Sequence, residues 1–152
     1  MSRLIPLRAS GFTLAETLLT MAFLAISAGA AVPRVATHLE ETRAARAAED
    51  IRRIETALKD YRAQHHELPD SLAQLPQAVS LDPWGRPYEY VNFATRGLSE
   101  QRYFHNLPLN SDYDLYSRGA DGRTDIALNA ASAADDVVRG RDGEFVGLAS
   151  EF

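Results

Sequence analysis

One acidic residue in this chain stands where acids are expensive. Glu16 lies five positions into an apolar run that begins at Phe12, and an acid near the middle of a membrane helix costs roughly 2.5–3.5 kcal/mol, less toward the interface. Such a residue calls for a positive partner at its own depth. A cut after Gly11 would create one, the new α-amino group of Phe12, a turn away in the same chain and within reach of a neighbouring copy. The alternative is that the Glu16 side chain snorkels to the headgroups. Far along the chain lie two acidic loop segments, their carboxylates supplied by aspartates, without a nearby lysine. Hard divalent cations take six to eight oxygen ligands, and two acidic loop segments are suited to supply them. Against a metal, Arg118, Arg123, Arg139 and Arg141 could pair with the same aspartates and hold the loop by salt bridges.

Enzymatic chemistry finds no support in the residues. Cysteine is absent, which removes disulfides, thiolate nucleophiles and Cys-based metal sites together. The chain holds no Gly-x-Ser-x-Gly, no His-Glu-x-x-His, no phosphate-cradling glycine loop and no EF-hand pattern. His65-His66 falls at a helix end, where imidazolium meets the C-terminal dipole favourably, and His38 and His105 lie in unrelated segments.

The elements that must carry these residues follow from hydropathy and spacing. With 152 residues, 45% of them apolar, the chain is long enough for one compact domain and one further element. Acidic residues outnumber basic ones, 21 to 16, and no basic stretch is interleaved with aromatics, so nucleic acid is not an expected partner. From Thr17 to Val32 there is neither charge nor proline, and from Arg34 onward the chain reads as a soluble sequence. Phe12 to Val32 is 21 residues, and a helix of that length, rising about 1.5 Å per residue, matches the hydrocarbon core of a bilayer. Arg3 and Arg8 precede it with no acid between them, which predicts a cytoplasmic leader and an exported remainder.

Residues 34 to about 66 read as one amphipathic helix. Ala44, Ala47, Ile51, Ile54, Leu58 and Tyr61 recur at steps of three and four, while Arg43, Arg46, Glu49, Arg53 and Lys59 fill the other faces. The helix should continue from the apolar run with a bend at Pro33, and Leu68-Pro69-Asp70-Ser71 should end it. Residues 88–93 and 113–117 are aromatic-rich and partly alternating, so both predict strands of a small antiparallel sheet laid on the helix, with Phe145 to Leu148 as a third pairing. Ala94 to Asn110 has no clear period and is left without an assignment. The dense turn formers of Leu81-Asp82-Pro83-Trp84-Gly85-Arg86-Pro87 predict a tight turn, with Trp84 as its apolar anchor.

The basic leader, Gly11 before Phe12, Glu16, the apolar run and Pro33 together resemble the class III signal of type IV prepilins and pseudopilins. The resemblance implies that a prepilin peptidase cuts after Gly11 and methylates Phe12, and that Glu16 pairs with the N-terminus of an adjacent subunit during filament assembly. Leu81-Asp82-Pro83-Trp84-Gly85-Arg86-Pro87-Tyr88 and Asp112 to Gly122 resemble two sequence blocks of the major pseudopilin of type II secretion systems. Ala134-Asp135-Asp136-Val137 resembles the acidic segment that completes a calcium site in that family, which implies Asp121, Asp135, Asp136 and the Arg118 carbonyl as ligands. Departures are the segment Arg123 to Ser132 in place of a glycine-rich spacer, the longer stretch Ala94–Asn110, and a tail from Arg139 to Phe152.

The resulting expectation is an α+β fold with a long N-terminal helix, its first half membrane-spanning, on a small antiparallel sheet with an irregular C-terminal region. Residues 1–11 would be a cleaved leader, 12–33 the transmembrane and assembly helix, and 34–152 a periplasmic domain. As the resemblance implies, the chain would be a structural subunit, anchored in the inner membrane by one span, that stacks into a helical periplasmic filament serving protein export. Its partners would be other pseudopilins, the peptidase and an inner-membrane assembly platform. A minor pilin of a type IV pilus is an alternative. So is a secreted soluble domain, since Ala28-Gly29-Ala30 has the form of an ordinary signal-peptide site.

Overall fold

A computed structural model describes residues 11–76 and 81–152, with the backbone alone over residues 25–36. The leader containing Arg3 and Arg8, and the side chain of Pro33 on which the bend is expected, lie outside the described residues. The chain divides into two units, Met1–His38 and Leu39–Phe152, and helix α1, Leu14–His65, contributes to both.

In the first unit, α1 carries exposed apolar side chains. Leu14 is 79% exposed and Leu19 73%, and Leu18, Met21, Phe23 and Leu24 are exposed as well, as is Phe12 just before the helix. The expected membrane-spanning first half is not upheld, and with it falls the single-pass placement in the inner membrane: among the described residues no helix is long and apolar enough to cross a membrane. The described part of the apolar stretch carries the charge of Glu16, which is costly in a hydrocarbon core.

The second unit is organised by the amphipathic stripe of α1. Ala44, Ala47, Ala48, Ile51, Ile54 and Leu58 are buried against Leu75, Tyr88, Tyr113, Leu115, Val137 and Val146. Ile51, Ile54 and Leu58 are among the most fully buried side chains, each worth about 1.5–3 kcal/mol relative to exposure. Beyond His65 the chain turns at His66, which has a φ of 63° and whose N–H still donates to the Arg62 carbonyl. Leu68-Pro69 then cannot continue the helix.

The sheet has four strands in the order β1-β4-β5-β6, all pairs antiparallel. They are β1 Glu89–Asn92, β4 Tyr113–Ser117, β5 Val137–Gly140 and β6 Phe145–Leu148. Tyr90 faces Leu115 across β1 and β4, and Tyr116 faces Val138 across β4 and β5. Both predicted strands and the third pairing are present. Strand β5 was not foreseen: its Val-Val-Arg-Gly sequence does not alternate, because all four residues are buried.

The one-turn helix α2, Phe93–Arg96, begins on the last residue of the predicted strand 88–93, capped by the Asn92 side chain, and runs into the stretch left without an assignment, which also holds a two-stranded hairpin of β2, Tyr103–Phe104, and β3, Leu107–Pro108. Its turn residues His105 and Asn106 both have positive φ, the backbone of a tight hairpin turn. Leu109, Leu128, Val138 and Ala149 form a second apolar cluster, joined by Phe104, Tyr116, Phe145 and Phe152.

Candidate functional site

At the start of α1, Thr13 and Glu16 form a reciprocal cap. Glu16 Oε2 accepts from the Thr13 N–H and from the Thr13 hydroxyl, each at 2.9 Å, and Thr13 Oγ1 accepts from the Glu16 N–H at 3.3 Å. This is the capping box of a helix N-terminus, which satisfies donors that have no intrahelical partner. The sequence reading missed Thr13 although Thr-x-x-Glu is the signature of the box. Gly11 and Phe12 lie directly before it. A Cβ built on Gly11 meets nothing within 4 Å, so the packing of this chain gives no reason for glycine there.

The block Leu81 to Tyr88 is a turn built around one carboxylate. Asp82 is buried, and its Oδ1 accepts from the N–H groups of Trp84 at 3.0 Å and Arg86 at 2.8 Å. Its Oδ2 accepts from the Ser117 hydroxyl at 2.5 Å. The backbone closes the same turn, with the Asp82 N–H on the Arg86 carbonyl and Gly85 at a φ of 82°. Asp82 therefore locks the first sequence block onto the second through Ser117. Trp84 packs against the main core as expected, and its indole N–H donates to Glu40 of α1 at 2.8 Å. That bond holds the Glu40 carboxyl below its ordinary range.

The residues carried over for a calcium site are only partly brought together. Asp135 Oδ2 accepts from the Asp121 N–H at 2.8 Å, so these two meet. Asp121 Oδ1 accepts from the Arg123 N–H at 2.7 Å, and the Arg118 carbonyl accepts from the Gly122 N–H at 3.2 Å. Asp136 turns the other way. It is fully buried, and its Oδ2 takes the guanidinium of Arg102 at 2.5 Å and the hydroxyl of Thr124 at 2.6 Å. Burial pushes the Asp136 carboxyl up, opposed by the Arg102 charge. Among the described residues no group of three or more His, Cys, Asp or Glu is placed to hold a metal ion.

The arginines do hold this region, but not in the pairings expected. Arg118 pairs with Glu89 at 2.6 Å. Arg139 is buried beside Glu55 of α1 at 3.3 Å and Asp112 at 2.9 Å, with its guanidinium 4.0 Å above the Tyr113 ring. Arg102, 3% exposed, covers the Tyr116 ring at 4.0 Å. Arg86 donates to the Gly119 carbonyl. Neither Arg86 nor Arg102 was singled out from the sequence, since each lies more than 30 residues from its partner.

No family model matches the chain. No solved structure matches it. Curated relatives do. The chain is 29% identical over 135 residues to the type II secretion system core protein G of Pseudomonas aeruginosa, covering 75% of this chain and 85% of the relative. To the protein of the same name from Klebsiella pneumoniae it is 30% identical over 125 residues, covering 78% and 82%. To that of Escherichia coli strain K12 it is 28% identical over 133 residues, covering 74% and 82%. The turn locked by Asp82, the paired blocks around β1 and β4, and the capped helix behind Gly11 thus sit in a chain that belongs to the pseudopilin family of type II secretion system core protein G.

Proposed function

We propose that this chain is a structural subunit of a pseudopilus, a filament of like subunits that serves protein export through a type II secretion system. The family is non-catalytic, and the chain is not an enzyme. The observation that carries the filament reading is the run of exposed apolar side chains formed by Phe12 and, on α1, Leu14 to Leu24. A single copy leaves them in water, and the same stripe on further copies would cover them at about 25 cal/mol per Å² of apolar surface removed from water. In this reading a prepilin peptidase removes the leader after Gly11, which accounts for a glycine that the fold does not require. Phe12 then presents its methylated amino group, and the Glu16 carboxylate, held at the helix start by Thr13, pairs with that group in a neighbouring subunit. Assembly would take place on the platform of the secretion system together with other pseudopilins.

The test is cross-linking in a host that carries the secretion system. Leu18→Cys, on the exposed stripe, puts a single thiol in a chain that has no other and should give a disulfide-linked dimer on oxidation, and Glu16→Ala in that background should abolish the dimer while the leader is still cleaved. Absence of a dimer with Leu18→Cys and with cysteine at the other exposed positions would defeat the filament reading. A dimer that persists in the cleaved Glu16→Ala chain would defeat the charge pairing alone.

A further inference from the structure

The donors carried over for calcium do not fit a hard cation. Such an ion needs six to eight oxygens, and the oxygens expected to hold it are largely engaged by donors of this chain. Asp136 is paired with Arg102 in a fully buried ion pair, so a divalent ion brought to that carboxylate would stand against a guanidinium. Asp136 Oδ1 is buried without a hydrogen bond, but so are Nε and Nη1 of Arg102, and the unmatched acceptor therefore has unmatched donors on its own partner. The Gly119 carbonyl is taken by Arg86 and the Arg118 carbonyl by the Gly122 N–H. Three aspartates of the loop between β4 and β5 remain, Asp121, Asp125 and Asp135, and each already accepts a backbone N–H.

The guanidinium of Arg86 occupies the inside of the loop's first turn. A Cβ built on Gly122 would lie 2.8 Å from its Nη1 and 3.0 Å from its Cζ, so the ring-like plane of the guanidinium packs directly on the glycine backbone. A Cβ on Gly119 would lie 2.0 Å from the Asp135 carbonyl oxygen, so the two ends of the loop are in contact at that glycine. Arg86 is itself aimed by Asp82, which accepts the Arg86 N–H. At the other end Arg102 is aimed by Asp114, whose Oδ2 accepts the Arg102 N–H at 2.7 Å.

We infer that in this chain two arginines close the β4–β5 loop in place of a metal ion, Arg86 on the carbonyl of Gly119 and Arg102 on the carboxylate of Asp136, so that the second unit folds independently of calcium. A planar guanidinium supplies fixed N–H donors and one permanent positive charge. It reads carbonyl and carboxylate oxygens as a cation does, but it is covalently part of the chain and cannot be chelated.

The experiment is thermal unfolding of the full purified chain in calcium chloride and in chelator, beside limited proteolysis mapped to residues 118–136. The wild-type melting temperature should agree between the two media to within about 1 °C, and the loop should be cut at the same rate in both. Arg86→Met should speed cleavage of the loop several-fold in both media. Arg102→Met leaves the buried Asp136 charge uncompensated and should lower the melting temperature by several degrees in both. A ligand bound only to the folded state at about 100 times its dissociation constant raises the melting temperature by several degrees. A rise of that size for the wild type in calcium, or protection of its loop by calcium, would overturn the inference. So would an Arg86→Met chain whose loop resists protease as the wild type does.

Discussion

Replacing Asp82 by alanine should be among the costliest single changes in the second unit, although the residue lies in a turn. Three donors converge on its carboxylate: the N–H groups of Trp84 and Arg86 and the hydroxyl of Ser117. Hydrogen bonds to a charged acceptor contribute roughly 1.5–3 kcal/mol each, and buried donors left unpaired cost about 1–3 kcal/mol each. The three share one turn and are not additive, so a total of about 3–5 kcal/mol is expected. For a chain of this size about 1 kcal/mol moves the melting temperature by about 2–4 °C, which places Asp82→Ala at least ~6 °C below wild type. Asp82→Asn keeps one acceptor oxygen and should cost less. Ser117→Ala removes one donor and should cost about 1 kcal/mol. Urea unfolding measures all of these, with the slope expected to stay constant so that midpoint shifts report stability. In a double-mutant cycle Asp82 and Ser117 should couple by more than about 0.5 kcal/mol. An Asp82→Ala chain that unfolds within about 1 kcal/mol of wild type would refute the claim that this carboxylate holds the turn.

Two further outcomes follow from the packing. Burial pushes the hydroxyls of Tyr88, Tyr90 and Tyr113 well above the ordinary tyrosine range, with Asp50 adding to the effect at Tyr88. With the folded values raised, the unfolded chain gives up these protons first. The stability they contribute is therefore complete below about pH 10 and is lost as the pH rises beyond it; absorbance near 295 nm should show these tyrosines ionising together with loss of helix signal, and smooth ionisation in a chain that stays folded would contradict their burial. Gly119 has a φ of 58° and no room for a methyl group beside Asp135, whereas Gly97, at a φ of 79°, meets nothing within 4 Å. Gly119→Ala should thus destabilise by more than about 2 kcal/mol and Gly97→Ala by about 1 kcal/mol, and equal unfolding midpoints for the two variants would count against the close approach.

What could be read from the sequence was local or periodic. The stripe Ala44 to Leu58 placed the buried face of α1, because burial on one face leaves a period in the sequence, and aromatic enrichment placed β1 and β4. Strand β5 left no period. It pairs on both sides and is wholly buried, and Arg139 within it is tolerated because Glu55 and Asp112 neutralise it, partners 84 and 27 residues away. Arg102 was hidden for the same reason: its meaning comes from Asp136, which no spacing rule links to it. The expected span rested on composition over Phe12 to Val32, and among the described residues no helix is long and apolar enough to cross a membrane. Thr13 was a true omission, since its pattern with Glu16 is short-range and explicit.

The second apolar cluster joins parts of the chain that look unrelated in sequence. Phe104 comes from the β2–β3 hairpin and Phe152 from the tail, and their rings meet edge to face at 5.3 Å, while Phe145 meets Phe152 at 5.1 Å. A Cβ on Gly140 would lie 2.5 Å from the Phe152 ring. The hairpin and the chain end at Phe152 are therefore each the other's lid, although β6 just before that end belongs to the main sheet. Truncation before Phe152 would leave the ring of Phe104 bare, and a graft of the hairpin onto another chain would have to bring the aromatic end with it and a glycine at the position of Gly140.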